Sequence, residues 1–192
     1  MLKAAPYLPV VGEHKLVGPW GGTFPWEQRY LIWKIHSTRG NILEIGTHFG
    51  YTAREFATAF PDRKVICVDV WAADYRGRGL TSTDDVCKAA RNMSNVELRL
   101  MDSKDFVYDP ADDISFIYID GNHDWEAVAI DTNKALDYLQ GRHGTIAWHD
   151  YSEGHQSMMY LDWLNDHGLV RRGLSNKWLY HVVGTTLVTY DC

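Results

Sequence analysis

The run NILEIGTHFGYT at residues 41–52 constrains this chain more than any other stretch. Three apolar residues, Ile42, Leu43 and Ile45, lead into Glu44-x-Gly46-x-x-x-Gly50, and a helix-like segment follows at once. This order describes a strand that turns tightly into a helix at the start of a nucleotide-binding α/β unit. Gly46 can take backbone angles closed to other residues and lets a ligand approach the main chain. The spacing is not GxGxxG, whose close glycines admit a pyrophosphate, so a dinucleotide such as NAD is disfavoured. The Glu44 carboxylate beside the turn suits a cationic or hydroxyl-bearing ligand better than a phosphate.

The rest of the chain repeats the strand–helix alternation. The pattern predicts a helix over 26–37 after Pro25, a strand over 41–45, and a helix over 51–60 stopped by Pro61. A strand over 65–70 is followed by a Gly- and Arg-rich loop over 72–83, then a helix capped by Ser82 or Thr83 and running to 93. Strands over 96–101 and 114–119, a helix over 126–139, a strand over 145–148 and a helix over 157–167 follow. Two last strands, 177–183 and 185–190, meet at Gly184 with no helix between them. The fold expected is α/β: a Rossmann-like, doubly wound, mostly parallel seven-stranded sheet with a C-terminal antiparallel hairpin. Residues 1–26, rich in Pro, Gly and aromatics, read as an irregular arm or lid, and 27–192 as one domain.

Composition narrows the partners. A net charge of −6 argues against a general nucleic-acid role, because phosphate binders carry a basic face. Three cysteines without metal-site spacing, and no secretory leader, fit a reducing cytoplasm. No apolar stretch reaches the roughly 18 residues that span a bilayer, so a membrane is not expected. The expected partner is a small molecule, and a homo-oligomer is allowed.

Ligands of open parallel sheets bind outside the carboxyl ends of the strands. Here five such ends carry polar or acidic residues: Glu44 with Gly46 and Thr47, Asp69, Asp102 with Ser103, Asp120, and His149 with Asp150. One Asp after a strand usually caps a turn. Five in succession indicate a shared site. Asp69 lies 23 residues beyond Gly46, near the interval at which an acid accepts hydrogen bonds from ribose hydroxyls. Val70 and Trp71 follow it. Asp102 and Ser103 can meet an adenine amine, with Trp71 or Met101 against its face. S-adenosylmethionine (SAM) is cationic, bears ribose hydroxyls and has no phosphate.

The ordered set LEIGTHFGYT, CVDVW, LMDSKDF, FIYIDGNHDWEAV, GTIAWHDY and GTTLVTY resembles a class I SAM-dependent methyltransferase over residues 27–190. More narrowly it resembles a small family with IDGxH(S/T)YE near the fourth strand and GHDY after the fifth; macrocin-type and catechol-type O-methyltransferases are more distant. The resemblance implies that Glu44, Gly46 and Gly50 shape the methionine end of the SAM site, that Asp69 holds the ribose, and that Asp120 sits between cofactor and acceptor. It also implies that Asp120 and Asp150 occupy two metal-ligand positions of the catechol-type enzymes, while Tyr151 replaces their amide ligand. Asn122 and Asp124-Trp125 depart from the family pattern.

A hydroxyl acceptor must lose its proton before it takes a methyl group. Mg²⁺ or Mn²⁺ on Asp120 and Asp150 is one device; a general base at His123 or His149 is the other, since imidazole titrates near neutrality. His149 is also a candidate ligand. The expected activity is O-methylation of a small molecule. The alternatives are a SAM- or nucleotide-binding relative without transfer activity and a Rossmann-like NAD enzyme.

Overall fold

The computed structural model describes the backbone of residues 3–5 and residues 23–70, 86–169, 172–174, 179–182 and 185–192. The strands among them are β1 (Lys3–Ala5), β2 (Asn41–Ile45), β3 (Val65–Asp69), β4 (Val96–Leu100), β5 (Ile114–Ile119), β6 (Thr145–Trp148), β7 (Tyr180–Val182) and β8 (Val188–Asp191). The helices are α1 (Pro25–His36), α2 (Tyr51–Ala59), α3 (Trp125–Leu139) and α4 (Gln156–Trp163), the last continued by a π-helical turn at Leu164–Gly168.

These strands form one sheet in the order β1-β7-β8-β6-β5-β2-β3-β4. β4, β3, β2, β5 and β6 run parallel, and β8 is antiparallel to both β6 and β7. The seven-stranded expectation therefore holds for β2 to β8. Part of the N-terminal arm departs from it: β1 adds to the sheet edge, parallel to β7.

Alternation along the strands divides the core into two layers. Leu43, Ile45, Ile66, Val68, Ile117 and Ile119 face α3 and α4, while Ile42, Val65, Cys67, Phe116 and Tyr118 face α1 and α2. Helices cover both faces, so β5 is buried at every position and reads as a continuous apolar run.

The expected helix over 83–93 is corrected in its described part. Residues 86–94 form turns. The amides of Cys87 and Ala89 donate to the carbonyls of His48 and Phe49, and Cys87 adopts φ 45°. Those donors are spent on the loop after β2, leaving no α-helical ladder there. Residues 82–85, and the proposed turn residue Gly184, lie outside the described residues.

Candidate active site

The chain runs from β2 outward to β3 and β4, then returns to β5 on the other side of β2. This reversal places the topological switch point between β2 and β5. The ladder continues past the strand ends: Gly46 N–H donates to Val68 O at 2.9 Å, Asp120 N–H to Ile45 O at 2.8 Å, and His149 N–H to Ile119 O at 3.1 Å. Gly46, Asp120 and His149 therefore stand along one carboxyl edge.

Gly46 is required there by the protein itself. It has φ +88°, and a Cβ at this position would stand 2.1 Å from the Asp120 carbonyl oxygen and 2.6 Å from Gly121 Cα. The turn carries the end of β5 across it. A larger residue there would collide with the protein's own backbone as well as with a ligand approaching the main chain. Gly50, at φ +78°, caps α2, and its missing Cβ leaves room for the Cys87 sulfur. Thr47 is buried beside the Glu44 carboxyl, and burial pushes that carboxyl well above the usual carboxylate range. Glu44 lies within the α1/α2 layer, its Oε2 4.0 Å from the Cys67 sulfur.

On the β3 side, the Asp69 carboxylate accepts the His48 N–H at 2.7 Å. It pins the loop after β2 to the end of β3. Val70, next to it, is exposed, and Trp71 lies outside the described residues. Beyond β4, Asp102 accepts the Lys104 amide at 3.0 Å and pairs with the Lys104 ammonium at 2.9 Å. Ser103 offers its carbonyl to Lys134 Nζ at 2.9 Å.

The β5–β6 side is charged and more deeply buried. His149 Nε2 is 3.2 Å from Glu27 Oε2, while Nδ1 is 3.2 Å from Asp120 Oδ1 and 3.3 Å from Asp150 Oδ2. Burial alone would lower the imidazole pKa, but the charges of Asp120, Asp150 and Glu27 outweigh it and hold His149 protonated far above its ordinary range. Burial pushes the Asp150 carboxyl upward, yet His149, with His123 and His155, keeps it below the usual value. Tyr118 donates to Asp120 Oδ2 at 3.2 Å. His123 Nε2 stands 3.2 Å from Asp150 Oδ2 and is one-third exposed.

Against this geometry stand the comparisons. A family model described as a methyltransferase domain matches residues 43–151, more than half of the chain. The chain belongs to the class I SAM-dependent methyltransferases. No curated protein sequence matches it. Among solved structures, the calicheamicin methyltransferase CalS11 is similar at TM-score 0.61 and 14% identity, covering 85% of this chain and 76% of that one. Cofactor-bound Rv0187 from MTB gives TM-score 0.61 at 15% identity, over 90% and 82% of the two chains. A Podospora anserina methyltransferase, PaMTH1, solved with SAH bound, gives 0.54 at 16% over 88% and 79%. At such identities the likeness is one of fold.

For this methyltransferase the structure joins Asp120, His123, His149 and Asp150 in one cluster. Held as imidazolium by Asp120, Asp150 and Glu27, His149 has no lone pair free for a proton, which favours His123 of the two candidate bases. Tyr151 turns away, its hydroxyl donating to Asp162 at 2.9 Å.

Two residues escaped the sequence reading. Glu27 is fully buried and accepts from Phe24 N–H at 2.9 Å, Thr186 N–H at 2.7 Å and Thr186 Oγ1 at 3.0 Å besides His149. In sequence it looked like an ordinary first-turn acid of α1. Asp131, on α3, is buried behind Gly121, and burial is the main reason its pKa is raised to about 6; Ser103 and Lys134 oppose the shift. A lone acid among Ala, Ile and Thr on a helix was its only sequence signal.

Proposed function

We propose that this methyltransferase moves the methyl group of SAM to a hydroxyl oxygen of a small-molecule acceptor. The observation that carries the proposal is the division of the carboxyl edge at the switch point. The Gly46 turn and Asp69 lie on one side, and a cluster of two carboxylates and two imidazoles lies on the other. The first suits the cationic, ribose-bearing donor; the second suits deprotonation of an acceptor beside it.

Methyl transfer is an in-line displacement. The carbon–sulfur bond breaks, its electron pair stays on sulfur, and the acceptor oxygen forms the new bond to carbon. The enzyme must align the three atoms and exclude water. His123 takes the hydroxyl proton in this reading, with Nε2 oriented by Asp150 and the other ring nitrogen left for the proton, the usual pairing of a base with an orienting carboxylate.

A divalent ion fits the cluster. His149 Nδ1 is buried without a hydrogen-bond partner, and it converges with carboxylate oxygens of Asp120 and Asp150, the three atoms lying within 4.8 Å of one another. Asp120 and Asp150 would hold the ion, with Mg²⁺ or Mn²⁺ as candidates. When bound, such an ion lowers the pKa of an acceptor hydroxyl and fixes its direction.

Titration with SAM, SAH and NAD tests the donor: the first two are expected to bind and NAD is not. A screen of hydroxylated acceptors with methyl-labelled SAM then tests transfer. Binding of NAD alone would overturn the reading. SAM binding without transfer to oxygen, nitrogen or sulfur acceptors would favour a binding protein. Full activity in EDTA would remove the ion and leave His123 as the base.

A further inference from the structure

We infer that His149 Nδ1 is itself a metal ligand, that Glu27 positions it from α1, and that the pair makes the centre prefer Mn²⁺ and similar transition ions over Mg²⁺. This rests on the reading that Asp120 and Asp150 hold a divalent ion.

Three observations carry it. The first is convergence. Two carboxylate oxygens stand 3.2 and 3.3 Å from Nδ1, yet neither meets it at hydrogen-bonding geometry. Adjacent ligands about 2.2 Å from a shared octahedral ion stand about 3.1 Å apart. Both distances are those of neighbouring ligands in one shell, and an ion that binds there displaces the Nδ1 proton, because a ligating imidazole is neutral and the cation takes over the balancing of the carboxylates.

The second is the other side of the ring. Nε2 is hydrogen bonded to Glu27 Oε2 at 3.2 Å. A ligating imidazole almost always gives its remote N–H to a carboxylate or carbonyl, which fixes the tautomer and raises the basicity of the metal-facing nitrogen. Glu27 has no exposed side-chain surface and is itself fixed by the Phe24 amide and by the amide and hydroxyl of Thr186. These contacts tie α1, the segment before β8 and the end of β6 to one nitrogen. A carboxylate committed to four donors is costly to bury unless its position matters.

The third is donor chemistry. An all-oxygen set suits Mg²⁺, whereas imidazole nitrogen is a better ligand for first-row transition ions, Mn²⁺ the weakest of them, than for Mg²⁺. Two carboxylates and one imidazole form a mixed set in which Mn²⁺ binds by the same oxygens as Mg²⁺ and gains from the nitrogen. Tyr151, held by Asp162, supplies no further oxygen.

The test uses the full chain stripped of metal, with SAM binding measured on each sample as a check of the fold. Calorimetry is expected to show Mn²⁺ binding roughly tenfold or more tighter than Mg²⁺. Pulsed EPR of the Mn²⁺ complex should show coupling to one imidazole ¹⁴N. His149→Asp restores an all-carboxylate set; it should lose the nitrogen coupling and most of the Mn²⁺ preference while still binding an ion. Glu27→Gln should weaken Mn²⁺ by roughly 10–100-fold, the scale on which such supporting partners act, with a smaller change for Mg²⁺. Mn²⁺ bound without nitrogen coupling would overturn the inference and leave the carboxylate centre standing. Coupling that survives His149→Asp would also overturn it, moving the ion to the neighbouring group of His123, Asp150 and His155. No ion bound at millimolar concentration, with SAM binding intact, would remove the metal reading itself and this inference with it.

Discussion

The two sides of the switch point are built on different principles. On the β2–β3 side the polar groups serve nearby backbone: Asp69 holds the His48 amide, Asp102 holds the Lys104 amide, and Gly46 makes room for a neighbouring chain. On the β5–β6 side the polar groups serve one another across long separations, with Glu27 and His149 122 residues apart. The first arrangement presents main chain and leaves its carboxylates half open to a ligand. The second is a buried charge cluster that must be balanced internally or by an ion. The β2–β3 side is therefore a matter of chain geometry, and the β5–β6 side a matter of electrostatics.

Substitutions can break or sharpen this contrast. The largest effect is expected at Gly46, which serves both sides. Gly46→Val would drive a side chain into the Asp120 backbone from a φ of +88°. The expected outcome is loss of cooperative folding, read by thermal melting; a folded variant that merely fails to bind SAM would make Gly46 a residue of the proposed cofactor site alone. Next is Glu27→Ala, which leaves the His149 Nε2–H and the buried donors of Phe24 and Thr186 without their acceptor. Breaking such a buried pair costs about 3–5 kcal/mol. Chemical denaturation measures it, and a loss under about 1 kcal/mol would show the β5–β6 cluster to be no tighter than a surface ion pair.

Asp131 gives a pH test of the β4–α3 region. Its folded pKa is about 6, while an unfolded Asp titrates near 3.9. The folded protein therefore holds the extra proton between these values. Its contribution is fully present below about pH 4 and is lost as pH rises through 6, amounting to about 3 kcal/mol at pH 8. Asp131→Asn should raise Tm at pH 8, bring no gain at pH 4, and flatten the profile between them. Identical profiles for the two proteins would place the titration elsewhere. The smallest effect belongs to Asp69. Asp69→Ala should weaken SAM by about 1.5–3 kcal/mol, as for hydrogen bonds to a charged group, partly through release of the His48 loop. Calorimetry decides it; unchanged affinity in a folded protein would take Asp69 out of the donor site.

The sequence by itself determined the elements and their order. β2, β5 and β6 occupy the spans read from apolar runs, and α1 and α3 start within one residue of theirs. These signals are local: period, proline stops and β-branched runs act within a few residues of where they are written. It also marked the strand ends on which Asp69, Asp120, His149 and Asp150 sit. Tertiary structure alone decided what those residues do. Residues 86–94 have turn backbones because the loop after β2 takes the amides of Cys87 and Ala89, a competition invisible in their own composition. His149 carries a charge because Asp120, Asp150 and Glu27 surround it, and Glu27 is an anchor because the approach to β8 brings Thr186 against it. A side chain's propensity travels with the chain, but its protonation and partners are set by the dielectric and the charges around it, and these exist only once distant segments have packed.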